Sequence, residues 1–162
     1  MNELHPPSNA FTEMILEVFR LNGVLMAAGD RLTQPVGLTS ARWQVLGVVE
    51  HGPISVPHVA RVMGLTRQSV QQTADGLEKD GFILYADNPH HRRSRLMRLT
   101  PQGKEALAYV AQRQEQWASQ VAGALNLADL HTAVGTLSQV RQILEAIEET
   151  SADETKPSQS DG

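Results

Sequence analysis

"ISVPHVARVMGLTRQSVQQTADGLEKDGFI", residues 54–83, decides the fold. Ser55 is placed to cap a helix that carries Pro57 in its first turn, and Val59, Val62 and Met63 give that helix a short apolar face. Gly64-Leu65 reads as a tight link, because a short helix–helix turn needs a positive φ that glycine adopts without steric cost. Thr66 then caps a second helix, in which Val70, Ala74 and Leu77 fall at i, i+4 and i+7 and face inward. Two short helices joined by a glycine-containing turn predict a helix-turn-helix.

Working outward, Gly81 ends the second helix. "FILYA" (82–86) and "RLMRL" (95–99) read as strands around the loop "DNPHHRRS" (87–94). A helix-turn-helix followed by a β-hairpin is a winged helix, and Arg92, Arg93, Arg95 and Arg98 all sit in its wing. Upstream, Phe11, Ile15, Val18, Leu21 and Leu25 mark a helix from about Ala10 to Leu32, with Ser8 or Asn9 as its cap. Thr39 or Ser40 caps the next, "ARWQVLGVVE", which stops at Gly52-Pro53. Downstream, Thr100 caps and Pro101 opens a long helix to about Leu125 with the seam Leu107, Val110, Trp117, Val121 and Ala124. A last helix from Asp129 carries the stripe Leu130, Val134, Leu137, Val140, Leu144 and Ile147. The expected fold class is mainly α with a small β-hairpin wing. Its expected parts are a flexible N-terminus (1–9), an N-terminal helix (10–34), the winged helix-turn-helix (39–99), C-terminal helices (100–149) and a disordered acidic tail (150–162).

Charge separates the parts. The chain of 162 residues carries a formal −4, yet residues 61–98 carry +3 and residues 143–162 carry −5. Solvent screens charges beyond about 8–10 Å, so the acidic end does not cancel a basic middle near phosphate. There is no cysteine, which excludes disulfides, thiolate metal sites and cysteine-based redox sensing. No apolar run reaches the roughly 20 residues of a membrane helix, and the N-terminus lacks the marks of a signal peptide, so a cytoplasmic protein with no membrane partner is expected.

The helix opening at Thr66 presents Arg67, Gln68, Gln71 and Gln72 outward, with Asp75, Glu78 and Lys79 only in its later turns. That order suits a helix entering the DNA major groove N-terminus first, where free N–H groups favour phosphate, glutamine can hold adenine by two bonds, and arginine guanine. The expected DNA-binding set is Ser55, Thr66, Arg67, Gln68, Ser69, Gln71, Gln72, Arg92, Arg93 and Arg95. Arg92 and Arg93 lie at the wing tip, within reach of a minor groove; Arg95 and Arg98, on the returning strand, either meet phosphate or pair with Asp87. A solvated polar helix face and a charged edge strand are the plainer readings, but they account for one or two arginines, not four beside a helix-turn-helix. Trp43 reads first as core beside Val45 and Leu46, and second as the wall of a ligand cleft between the first two helices and the winged module; Met26 is a lesser candidate for that wall. His90 and His91 are adjacent and chelate poorly on a strand, and the other histidines lack ligand spacing, so no metal or other cofactor is expected. Neither a phosphate-binding glycine loop nor a nucleophile motif stands out, so the chain reads as no enzyme.

Taken together, "LTSARWQVL", "VARVMGLTRQSVQQTADGLEKDGFI" and a wing near N/D-P-x-D/H-R-R-S/A followed by "LTPQG" resemble the MarR-type winged-helix transcriptional regulators over residues 10–148. The pattern departs from the common form at His91, where an aspartate is more usual, and at Tyr85, where an arginine is frequent. The usual aspartate orients a wing arginine, a role for which Asp87 is the substitute here. The resemblance implies a repressor-type homodimer, assembled through the first and last two helices on a pseudo-palindromic operator in double-stranded DNA. It also implies a small, often aromatic or phenolic effector held between the dimerisation and DNA-binding parts. The apolar stripes of the terminal helices point to the dimer independently, since a slim winged module cannot bury them. Two competing readings remain at this stage: a winged-helix module that holds an acidic protein partner, and an architectural or effector-free DNA-binding protein.

Overall fold

A computed structural model describes residues 6–89 and 94–154. It contains α1 (Pro6–Thr33), a 3₁₀ turn (Gln34–Val36), α2 (Ser40–Val49), β1 (Ile54–Ser55), α3 (Val56–Met63), α4 (Arg67–Lys79), β2 (Ile83–Ala86), β3 (Leu96–Leu99), α5 (Pro101–Ala122) and α6 (Leu127–Glu154). The chain divides into two compact units, residues 1–115 and 116–162.

The first unit holds the core. Val45, Leu46 and Val49 of α2, Val59 and Ala60 of α3, Val70, Ala74 and Leu77 of α4, Ile83 of β2, Met97 of β3, and Ala106 and Leu107 of α5 form one buried cluster. The i, i+4, i+7 reading of α4 is realised in full, with all three residues at zero exposure. Capping follows the sequence closely. The Thr66 hydroxyl accepts from the Ser69 N–H at 3.1 Å and the Thr39 hydroxyl from the Arg42 N–H at 3.3 Å, while Gly64 adopts φ 63° at the end of α3. After the hairpin, the Thr100 hydroxyl accepts from the Gly103 N–H and donates to the Gly81 carbonyl at 2.6 Å, tying the start of α5 to the end of α4.

The sheet has three strands in the order β1-β3-β2, all antiparallel, with Ile83 opposite Leu99 and Tyr85 opposite Met97. β1 is an addition to the expected two-stranded wing. Ile54 and Ser55 pair with Met97 and Leu96, a pairing fixed by residues some forty positions away and invisible in local pattern. Ser55 does stand at the N-cap position of α3, but its side chain makes no capping bond. Pro57, at the second helical position, removes one of the two N–H groups that such a cap could take.

Helix bounds differ from expectation at three places. α1 begins at Pro6 rather than Ala10: the two prolines are pre-set for a first helical turn and need no N–H partner there. Ser8 therefore lies inside the helix, its carbonyl accepting from the Thr12 hydroxyl, and does not cap it. In the second unit α5 ends at Ala122, short of Leu125, and α6 starts at Leu127 because the Asn126 side chain accepts from the N–H groups of Ala128 and Asp129. α6 then runs to Glu154, through residues 150–154 that were expected to be disordered; the Thr150 hydroxyl donates back to the Ala146 carbonyl within the helix. Residues 155–162 lie outside the described residues. None of the helices among the described residues is long and apolar enough to cross a membrane.

Candidate nucleic-acid interface

α4 is held by its buried face and offers the other. Thr66, Arg67, Gln68, Ser69, Gln71 and Gln72 are all exposed. Thr66 and Ser69 close the N-terminal turn, so the N–H groups of Arg67 and Gln68 remain at the open end of the helix. Ser55, half-buried, lies beside Pro57, His58, Arg61, Leu65 and Arg67 around a shallow depression at the mouth of the helix-turn-helix. The orientation of α4 is braced from α2: Arg42 Nη1 lies 2.7 Å from Asp80 Oδ2. A Cβ at Gly76 would meet the Arg42 guanidinium at 2.8 Å, so glycine there leaves room for that bridge.

Between α4 and the hairpin lies a groove of about 570 Å³ lined by Val56, Arg67, Gln68, Gln71, Asp75 and the hairpin residues Tyr85, Ser94 and Arg95, among others. One network crosses it. Gln71 Nε2 donates to Asp75 Oδ1 at 2.6 Å and to the Tyr85 hydroxyl at 3.0 Å. The Tyr85 hydroxyl lies 3.3 Å from the same Asp75 oxygen, to which it donates. Arg95 Nη2 donates to the Tyr85 carbonyl at 3.1 Å, and its guanidinium stacks 4.8 Å above the Tyr85 ring. Burial of the phenol, reinforced by the Asp75 carboxylate, pushes the Tyr85 pKa up from 10.0 to about 12, so the hydroxyl keeps its proton at physiological pH.

Arg95 is thus a brace for the wing as well as an exposed cation. Among the described residues no ion pair joins Asp87 to Arg95 or Arg98, and Arg98 stands exposed on β3 opposite Leu84. Arg92 and Arg93, with His90 and His91, lie outside the described residues. The Tyr85–Gln71 link escaped the sequence reading because the partners are fourteen positions apart on different elements. One signal was present: the i, i+4 spacing of Gln71 and Asp75 on one helix face.

A second cavity, of about 350 Å³, is lined by Trp43, Gln44, Gly47, Glu50 and His51 of the α2 segment and by Leu107, Ala111 and Gln114 of α5. Trp43 is half-buried and packs on the core, as its first reading expects; the cavity it lines lies between α2 and α5, with no residue of α1 in its wall. Met26 is not among the lining residues. Its sulfur instead accepts from Gln44 Nε2 at 3.3 Å and from the Ser40 hydroxyl at 3.5 Å, one side chain removed from the cavity. Among the described residues no cluster of three His, Asp or Glu side chains is arranged to hold a metal ion.

Comparison with known proteins agrees with this geometry. A family model described as MarR family matches residues 36–94. An uncharacterized protein of Mycobacterium tuberculosis is 34% identical over 139 residues, spanning 86% of this chain and 97% of the relative. The transcriptional activatory protein BadR of Rhodopseudomonas palustris is 24% identical over 147 residues, 88% of this chain and 84% of BadR. Among solved structures, the M. tuberculosis transcriptional regulator MosR in complex with DNA superposes with a TM-score of 0.68 at 19% identity, over 80% of this chain and 96% of that one. CouR of Rhodococcus jostii RHA1, bound to p-coumaroyl-CoA, superposes with a TM-score of 0.70 at 20% identity, over 78% and 90%.

Proposed function

The chain belongs to the MarR family of winged helix-turn-helix, DNA-binding transcriptional regulators, and we propose that it acts as a homodimeric repressor that is released from its operator by a small aromatic ligand. In this reading residues 39–99 form the DNA-binding part, and residues 10–34 and 100–149 form the dimerisation helices. Two copies of α4 enter successive major grooves about one helical turn apart, and Arg92 and Arg93 grip the flanking minor grooves.

The observation that carries the reading is the division of α4: one face at zero exposure, the other a run of exposed Arg67, Gln68, Gln71 and Gln72 at the end where its N–H groups open outward. The dimer is supported by apolar side chains left in solvent, among them Phe19 and Val24 on α1 and Val134 and Ile143 on α6. The ligand is supported by the Trp43 cavity, whose indole, Leu107 and Ala111 suit an aromatic ring and whose Gln44, His51, Glu50 and Gln114 suit a phenolic hydroxyl. CouR carries a p-coumaroyl thioester and a Staphylococcus aureus MarR protein carries salicylate; BadR is an activator by name.

Fluorescence anisotropy on the chain's own upstream intergenic DNA, against scrambled DNA of equal length and across a salt series, tests the core of this. The expected result is a steep salt dependence and a preference on the order of 10³ or more for the upstream DNA. Gln71→Ala should weaken binding to the preferred DNA and leave binding to scrambled DNA nearly intact, whereas equal loss on both would remove Gln71 from base reading. Arg93→Ala should weaken both and lower the salt slope by about one. Transcription from the upstream promoter, with and without the purified chain, decides between repression and activation.

A further inference from the structure

The network around Gln71 restricts what that side chain can read. A glutamine amide has two N–H donors and one carbonyl acceptor. Here both donors point inward, one to the Asp75 carboxylate at 2.6 Å and one to the Tyr85 hydroxyl at 3.0 Å. The orientation is chemically determined, because an ionised carboxylate only accepts and so must face the NH₂ end. Tyr85 completes the arrangement by giving its own proton to Asp75, and it holds that proton at physiological pH. Tyr85 is itself fixed, through its pairing with Met97 and through Arg95, bonded to its carbonyl and stacked on its ring. The remaining group of Gln71 is its carbonyl oxygen, a pure acceptor.

We propose that Tyr85 is a specificity-determining residue: acting with Asp75, it occupies the Gln71 amide nitrogen so that Gln71 reads only hydrogen-bond donors in the major groove, accepting adenine and cytosine alike and rejecting guanine and thymine. The two accepted bases present an exocyclic amino group there, N6 of adenine and N4 of cytosine, whereas guanine and thymine present only acceptors to hydrogen bonding. The two-bond grip on adenine expected of a free glutamine needs the amide nitrogen for N7, and that nitrogen is taken. The wing strand thereby sets the base preference of a helix on another element. The inference rests on the reading of α4 as the base-contacting helix.

The test starts from duplexes selected by the wild-type chain from a randomised double-stranded pool. Their Gln71-facing position is identified as the one whose preference disappears in Gln71→Ala. Affinity is then measured for the four base pairs at that position with the wild type and with Tyr85→Phe, which keeps the ring and removes the hydroxyl. The expected wild-type result is adenine and cytosine within about threefold of each other and both on the order of tenfold over guanine and thymine. Tyr85→Phe should free one amide N–H and shift the preference to adenine over cytosine by on the order of tenfold. A wild type that already prefers adenine over cytosine tenfold overturns the proposal and leaves Gln71 as a base reader. A Tyr85→Phe protein with an unchanged base profile overturns the role of Tyr85. If no position responds to Gln71→Ala, the proposal falls together with the base-reading role of Gln71.

Discussion

Gly103 shows how little freedom a single position can have. It lies in the first turn of α5, and a Cβ placed there would collide with the Phe82 carbonyl oxygen and press within 3.3 Å of the Leu99 side chain. The obstacle is backbone, held by the Thr100 N–H that donates to the same Phe82 carbonyl at 3.1 Å, so it cannot rotate away. Gly103→Ala should therefore destabilise the chain by about 2 kcal/mol or more, read as a lowered midpoint in urea unfolding. A neutral outcome would mean that α5 can slide on β2 and β3. Tyr85 makes a prediction of a different kind, in pH. Its folded pKa of about 12 lies above the ordinary 10.0, so the folded state holds a proton that the unfolded chain releases first. The stability that this contributes is complete below about pH 10 and is lost as pH rises from there through about 12. The stability gap between wild type and Tyr85→Phe should stay constant to about pH 9 and narrow above pH 10. A gap that stays flat through pH 12 would show that the phenol is not held as its contacts indicate.

At the scale of elements, the helix-turn-helix was legible because its signals are local. Thr66 caps its own helix, Gly64 supplies its own positive φ, and the spacing of Val70, Ala74 and Leu77 needs no partner to be read. What escaped depends on distant residues. β1 exists through Met97 and Leu96, and the Asp80–Arg42 bridge joins the cap residue at the end of α4 to α2 across thirty-eight positions. The outward face of α4 was visible as a set of residue types, but the commitment of the Gln71 amide was not, since Tyr85 arrives on a strand. The Arg42 bridge also yields a bounded expectation. With both side chains partly solvated (27% and 42% exposed), screening keeps its contribution near that of a surface pair, so Arg42→Ala should cost about 1 kcal/mol or less in stability. Its larger effect should be on DNA affinity, because α4 loses a brace that fixes its angle to α2. Equal affinity with lowered stability would show that core packing alone sets that angle.

For the whole molecule the open question is what covers the apolar surface that one chain leaves in solvent. On α6, Val134 is 63% exposed and Ile147 56% exposed, both within the stripe recognised from heptad-like spacing. Side chains this exposed contribute little to the stability of a lone chain, so charging them should be almost neutral if the chain acts alone. In a homodimer that buries them, two carboxylates per chain would be desolvated without partners, at several kcal/mol for the assembly. The double variant Val134→Glu/Ile147→Glu is therefore expected to keep the helical circular dichroism of the parent and to sediment at half the parent's mass. Its affinity for a duplex carrying both half-sites should fall to that for a single half-site, since two linked α4 helices gain from effective concentration what separate ones lose. If its mass and affinity match the parent's, α6 does not form the interface. The exposed stripe of α1, with Phe19 at 68% and Val24 at 65%, would then be the surface to charge next. Half-site DNA binding with an intact dimer would place the fault in the spacing of the two reading helices and not in assembly.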